Sequence, residues 1–125
     1  MCYIVNVSKL LALTLFVLSL SANADEWSTA DKQREFVYMA LHLMDWAQTR
    51  NIARNSDKWR EINPILGEHP SEDKVDAYFA VMALAHIAIS DALRSKYRDT
   101  WQYVSIGFEV IVVGHNFLFG VGINF

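Results

Sequence analysis

The sequence predicts an all-α protein, a three-helix bundle behind an N-terminal export signal. Two observations carry the bundle: three apolar segments are separated by polar connectors, and apolar residues of the first recur at helical intervals. A third observation is the pair of helix-start signatures that precede the first and second segments. Helices are expected over about 31–54, 72–95 and 99–114, followed by a short extended C-terminal tail, all within a single helical domain covering 25–125.

The N-terminal segment comes first. Lys9 is followed by an apolar run from Leu10 to Leu20, then Ser21-Ala22-Asn23-Ala24, the small-x-small pattern that signal peptidase accepts. The run is shorter than the roughly 20 residues that span a bilayer. Residues 1–24 are therefore read as a signal peptide, cut after Ala24. Cys2, the one cysteine, does not follow the apolar run and is not placed as a lipoprotein cysteine. The remaining chain has no cysteine, so disulfides and thiolate metal sites are out of reach. Losing Lys9 takes the formal charge from −3 to −4. A small acidic chain without a basic cluster makes a poor nucleic-acid binder. Export without disulfides suits a bacterial envelope, periplasmic or membrane-associated.

The first helix is opened by Ser28-Thr29-Ala30-Asp31, a serine with a carboxylate three residues on, in the manner of a capping box. Phe36, Met39, Ala40, Leu43, Trp46 and Ala47 repeat at helical spacing and are the expected apolar face. The connector "EINPILGEHPS", residues 61–71, carries the turn residues Pro64, Gly67 and Pro70, and Ser71 is placed to cap the second helix ahead of Glu72 and Asp73. That second helix is apolar almost all round from Ala77 to Leu93, the profile of a core helix or a membrane segment. Ser95-Lys96-Tyr97-Arg98 reads as a turn before the third helix. After it, Phe117, Phe119, Val121, Ile123 and Phe125 alternate with other residues, which is a strand-like period in a glycine-rich tail.

Ionisable residues interrupt these segments: Asp76, His86 and Asp91 in the second, Glu109 and His115 in the third. On a lipid-facing helix each costs roughly 2.5–3.5 kcal/mol or more, so they must face each other or a wet cavity. The four Trp and five Tyr suit a membrane interface. On the first helix Asp45, Gln48 and Thr49 join His42 in a polar stripe, and Gln102, Ser105, Glu109 and Asn116 form one on the third. Glu61, Asn63 and His69 are the connector residues that turn formation leaves unexplained. His86, Glu109, His115 and Asp45 offer imidazole and carboxylate ligands to a divalent metal, although no HExxH or EExxH spacing fixes such a site. Ser71 to Lys74 matches SxxK in form only and is read as a helix cap.

Three strings, "MDWAQTRNIAR", "EINPILGEHPSEDKVDAYFA" and "VVGHNFLFGVGINF", resemble a family of small envelope proteins encoded in bacteriophage and prophage genomes. More loosely they are similar to bacterial membrane proteins with a D-x-x-Q-T helix before an N-P loop. The family's pattern falls on Asp45, Gln48, Thr49, Glu61, Asn63, Pro64, Gly67, His69 and Pro70, with Tyr78, His86, Glu109, His115 and Asn116 downstream. The resemblance implies a phage-linked, envelope-directed helical protein, with no cofactor and no catalytic residue to carry over. The expectation is therefore an exported, membrane-associated helical protein whose partner is the membrane or an envelope protein. It would alter the host envelope by excluding a second infection or assisting lysis. The alternative is a small metal-dependent hydrolase of lipid or cell wall, with one divalent ion on His86 and His115 and Glu109 or Asp45 as base.

Overall fold

A computed structural model describes residues 24–124. The expected signal peptide lies outside them, apart from Ala24. Three helices follow in order: α1 (Thr29–Arg54), α2 (Glu72–Ala92) and α3 (Ser95–Leu118). They run up, down and up. Glu35 meets His86 and Trp46 meets Asp76 across an antiparallel pair, whereas Asp31 meets Arg98 and His42 meets Glu109 across a parallel one. α1 packs along both partners, and α2 and α3 touch each other sparsely.

The helix starts follow local chemistry. Ser28 Oγ accepts the Asp31 amide and Asp31 returns the bond to the Ser28 amide, a complete capping box. Ser71 Oγ accepts the Lys74 amide, as expected of a cap. α3 begins four residues earlier than the sequence suggests, because its cap comes from elsewhere in the chain. The Asp25 carboxylate accepts the Ser95 amide at 2.9 Å, so Ser95 to Arg98 form the first helical turn and not a connector. That bond holds the Asp25 carboxyl below its usual range. α2 correspondingly stops at Ala92, short of the expected 95.

The tail also departs from expectation. α3 continues to Leu118, so Asn116, Phe117 and Leu118 are helical, and no strand occurs among the described residues. Gly120, at φ +81°, supplies the left-handed turn that a helix end commonly uses. Beyond it Val121 is buried, and the Val121 and Gly122 carbonyls accept from the side chains of Gln48 and Asn51.

The expected apolar face of α1 lies only partly inside. Ala47 is buried and Trp46 packs on the core, whereas Phe36 is 75% exposed and Leu43 50%. The inward face is instead Asp31, Glu35, Tyr38, His42, Asp45, Thr49 and Ile52, all buried or half-buried and spaced alternately by four and three. That is the seam spacing of a coiled coil, filled with polar residues. Arg98, Gln102, Ser105, Glu109, Val113 and Asn116 line α3 at similar steps of three and four, without the strict alternation. The two seams stay in register: Asp31 with Arg98, Glu35 with Gln102 and His42 with Glu109 are each 67 residues apart. The apolar core is small and sits at the loop end, where Leu66, Val75 and Phe79 pack with Trp46, Ala53 and Tyr78.

Arg98 closes the opposite end. Its side chain is 0% exposed, and all five guanidinium N–H groups have an acceptor. They are the carbonyls of Ser90, Glu26, Asp25 and Leu93 and the carboxylate of Asp31. The Trp27 ring covers the guanidinium at 5.0 Å. Arg98→Met removes a cation whose partners are fixed, so it should cost about 3–5 kcal/mol. Lys96→Met, at an exposed position of the same helical turn, should stay within about 0.5 kcal/mol. Comparison of the two variants by thermal unfolding checks this.

Candidate functional site

The seam divides into two clusters and a cleft. In the cluster nearer Arg98, Glu35 reaches across from α1. Its carboxylate takes His86 Nδ1 at 2.9 Å, Ser90 Oγ at 3.1 Å and Gln102 Nε2 at 3.0 Å. One acidic side chain thereby joins all three helices. The His86 ring stacks on Tyr38 at 3.5 Å and on Trp101 at 5.0 Å, while its Nε2 is buried without a partner among the described residues. Ser90 shares the site through the Glu35 carboxylate.

Two turns along α1, His42 lies between α2 and α3. Its Nε2 is 3.0 Å from the Phe79 carbonyl and must carry hydrogen, because a carbonyl only accepts. Its Nδ1 is 2.8 Å from Glu109 Oε1, so one proton serves that contact. Glu109 Oε2 is buried and has no partner among the described residues. The bond thus accounts for a carboxylate that looked out of place between Phe108 and Val110.

The second cluster lies at the loop end. Thr49 Oγ1 donates to Asp45 at 3.4 Å, and Asn116 Nδ2 reaches Asp45 at 3.5 Å and Gln48 Oε1 at 3.1 Å. Gln48, itself fully buried, donates onward to the Val113 and Val121 carbonyls and ties the tail to α1. Asp45 stands within electrostatic reach of Glu109, Glu61 and His42. Glu61 is 9% exposed, and its Oε1 accepts the Asn63 amide at 2.8 Å. The loop therefore folds back on the seam through Glu61. Asn63 instead builds the turn: its side chain accepts the Ile65 amide and its carbonyl accepts those of Leu66 and Gly67. Gly67 takes φ +81°, Leu66 plugs the apolar core, and Lys74 Nζ fastens the Leu66 carbonyl.

Beside this loop is a cleft of about 210 Å³ lined by Trp59, Arg60, Glu61, His115, Asn116 and Phe119, among others. His115 is exposed and its ring lies tilted against Phe119, with centroids 4.6 Å apart. His69 is exposed and joins neither cluster.

Of the residues singled out in the sequence, Asp45, Gln48, Thr49, Glu61 and Asn116 come together, with His115 at the rim of the cleft. Glu109 sits one cluster away, and His86 farther. Gln102, level with His86, precedes His115 by thirteen residues, about 20 Å of helix. The four proposed metal ligands therefore do not converge on one point, and no group of three or more His, Cys, Asp or Glu suited to a metal ion occurs among the described residues. Sequence reasoning missed the Glu35–His86 and Asp31–Arg98 pairs. The signal that finds them is the four-three spacing of polar residues on α1, repeated 67 residues later on α3.

Compared with family models, characterised proteins and solved structures, the chain matches none.

Glu109→Ala leaves His42 without its carboxylate inside the bundle and should lower stability by about 1–3 kcal/mol. Asp99→Ala, which removes a half-exposed partner of Arg34, should cost under about 1 kcal/mol. Equal melting temperatures for the two variants would contradict the assignment.

Proposed function

We propose that this chain is an exported helical protein embedded in the membrane of the bacterial envelope, and that it acts there by altering the host envelope. The observation that carries this reading is the bundle's outer surface. Between Gln33 and Arg50 on α1 the exposed residues are Phe36, Val37, Ala40, Leu43 and Met44. Between Lys74 and Asp91 on α2 they are Ala77, Ala80, Val81, Met82, Leu84, Ile87 and Ala88. Between Thr100 and His115 on α3 they are Tyr103, Val104, Gly107, Phe108, Val110, Ile111 and Gly114. The register of the helices sets these stretches side by side as a belt about 23–26 Å tall. Soluble monomers rarely expose a contiguous apolar surface of that extent. A bilayer core of about 30 Å accommodates such a belt by modest thinning and by snorkelling of Lys74 and Arg50.

Both rims of the belt are polar and aromatic. Trp27, Asp91, Lys96 and Tyr97 lie at one end, Trp59, Arg54, Lys58 and Asp73 at the other. Among the described residues, α2 alone is long and apolar enough by composition to cross a membrane. α1 and α3 score lower because of residues that point inward, which lipid would not meet. Their pairing also suits lipid, where interhelical hydrogen bonds take over from the hydrophobic effect. Export is supported by Asp25, the first residue after the expected cut, whose carboxylate and carbonyl are already built into the fold by Ser95 and Arg98. The resemblance to phage-encoded envelope proteins supplies the setting, in which the host is changed against a second infection or toward lysis.

The wild-type protein should remain in the membrane pellet after alkaline carbonate washing. Leu84→Arg and Phe108→Arg each place a cation in the belt, at roughly 2.5–3.5 kcal/mol apiece, and together should shift the protein to the soluble or degraded fraction. A carbonate-soluble wild type, with both variants folded and more soluble, would contradict embedding. Unchanged phage plating and no lysis on expression would contradict the envelope role.

A further inference from the structure

We propose that the cleft at the loop end of the bundle binds the headgroup of an aminophospholipid, with the lipid's primary ammonium on Glu61 and its phosphate toward Arg60 and His115. The inference rests on membrane embedding, because that reading puts the cleft at the level of the lipid headgroups. The cleft opens where the belt ends on α3, beside Phe117, Leu118 and Phe119, so acyl chains leaving it would run directly onto the apolar face.

The charge distribution calls for a cation. Glu61 is nine-tenths buried and lines the cleft, yet only its Oε1 has a donor. Among the described residues nothing donates to Oε2. Asp45 and Glu109 lie behind it in the seam, where Thr49, Asn116 and His42 are their partners, and neither lines the cleft. Glu61 is thus the carboxylate of the cleft lining, and an ammonium on its free oxygen adds a charge-assisted hydrogen bond to the one that Asn63 already supplies. Arg60, held only by a 3.5 Å contact to Glu68 at the surface, and His115 stand on the same cleft and offer donors to an anion. One cleft thus presents an acceptor and a set of donors, which matches a headgroup carrying both charges. A primary ammonium donates hydrogen bonds to a carboxylate, whereas a trimethylammonium cannot, and a phosphoglycerol headgroup brings no cation at all. Trp59 and Phe119 add aromatic walls to the site.

The test is native mass spectrometry of the full-length processed protein, released from detergent micelles that hold equal amounts of phosphatidylethanolamine and phosphatidylglycerol with identical chains. One phosphatidylethanolamine should be retained per chain, in preference to phosphatidylglycerol by about tenfold, and Glu61→Gln should abolish the preference at unchanged helix content. Arg60→Gln, at an exposed position that folding does not need, should reduce retention several-fold. Soluble phosphoethanolamine should compete poorly; equal competition would identify a free-metabolite site and overturn the lipid assignment. Equal retention of both lipids would overturn the proposal, as would a folded Glu61→Gln that keeps the preference. If Glu61→Gln fails to fold, unchanged retention by Arg60→Gln is decisive against it. A carbonate-resistant protein without lipid preference sinks this inference alone, and a carbonate-soluble protein that still selects the lipid sinks embedding alone.

Discussion

A guanidinium shut away from water can persist in a three-helix bundle only if each of its N–H groups finds an acceptor, and Arg98 shows how the whole fold meets that condition. Its five donors gather carbonyls from the N-terminal segment, from the end of α2 and from the turn before α3, together with a carboxylate of α1. Geometry that satisfies Arg98 sets where α2 stops, where α3 starts and in which register α3 runs beside α1. Every later contact down the seam inherits that register: Gln102 opposite Glu35, Glu109 opposite His42, Asn116 opposite Gln48. Misplacing α3 by one residue would leave buried donors and acceptors unmatched all along it, each at a cost of roughly 1–3 kcal/mol.

A seam of this composition reverses the usual division of labour. In water, two helices joined by Asp, Glu, His and Gln would gain little from association while their apolar faces stayed wet. In lipid the same faces are at home, and the polar residues, with no other partners available, hold the helices together. On the proposed reading the polar interior and the apolar exterior are one design constraint, which a low-dielectric surround would satisfy. The loop end relaxes it: Leu66, Val75 and Phe79 form a conventional apolar plug, and the connector turns inward at the buried Glu61.

Much of this architecture was legible in the chain. The number of helices, the caps at Ser28 and Ser71, the turn at Gly67 and the polar stripe of His42, Asp45, Gln48 and Thr49 on α1 all follow from short-range patterns. What stayed hidden depended on distant partners or on the surrounding solvent. The cap of α3 is Asp25, 70 residues away, so Ser95 to Arg98 looked like a turn. The tail's alternation suggested extended chain, but Asn116 must stay helical to reach Gln48. The face of α1 marked by Phe36, Ala40 and Leu43 could be recognised but not placed, because apolar periodicity tells which residues share a face, and not what that face meets. The polar face carried the same period, half a turn away. His69 looked special only by composition; its neighbours Pro70 and Ser71 account for the segment's conformation.

What the surface of the bundle meets is thus the question on which the account turns, and local environment measures it most directly. In chains with Cys2 replaced, nitroxide labels on single cysteines at positions 36, 84 and 108, one per helix, would be placed in bilayers with a fourth at position 58 in the connector. The account predicts that labels at 36, 84 and 108 relax strongly with oxygen and weakly with a water-soluble nickel chelate, and that the label at 58 does the opposite. Nickel access at the three belt positions equal to that at position 58 would contradict it.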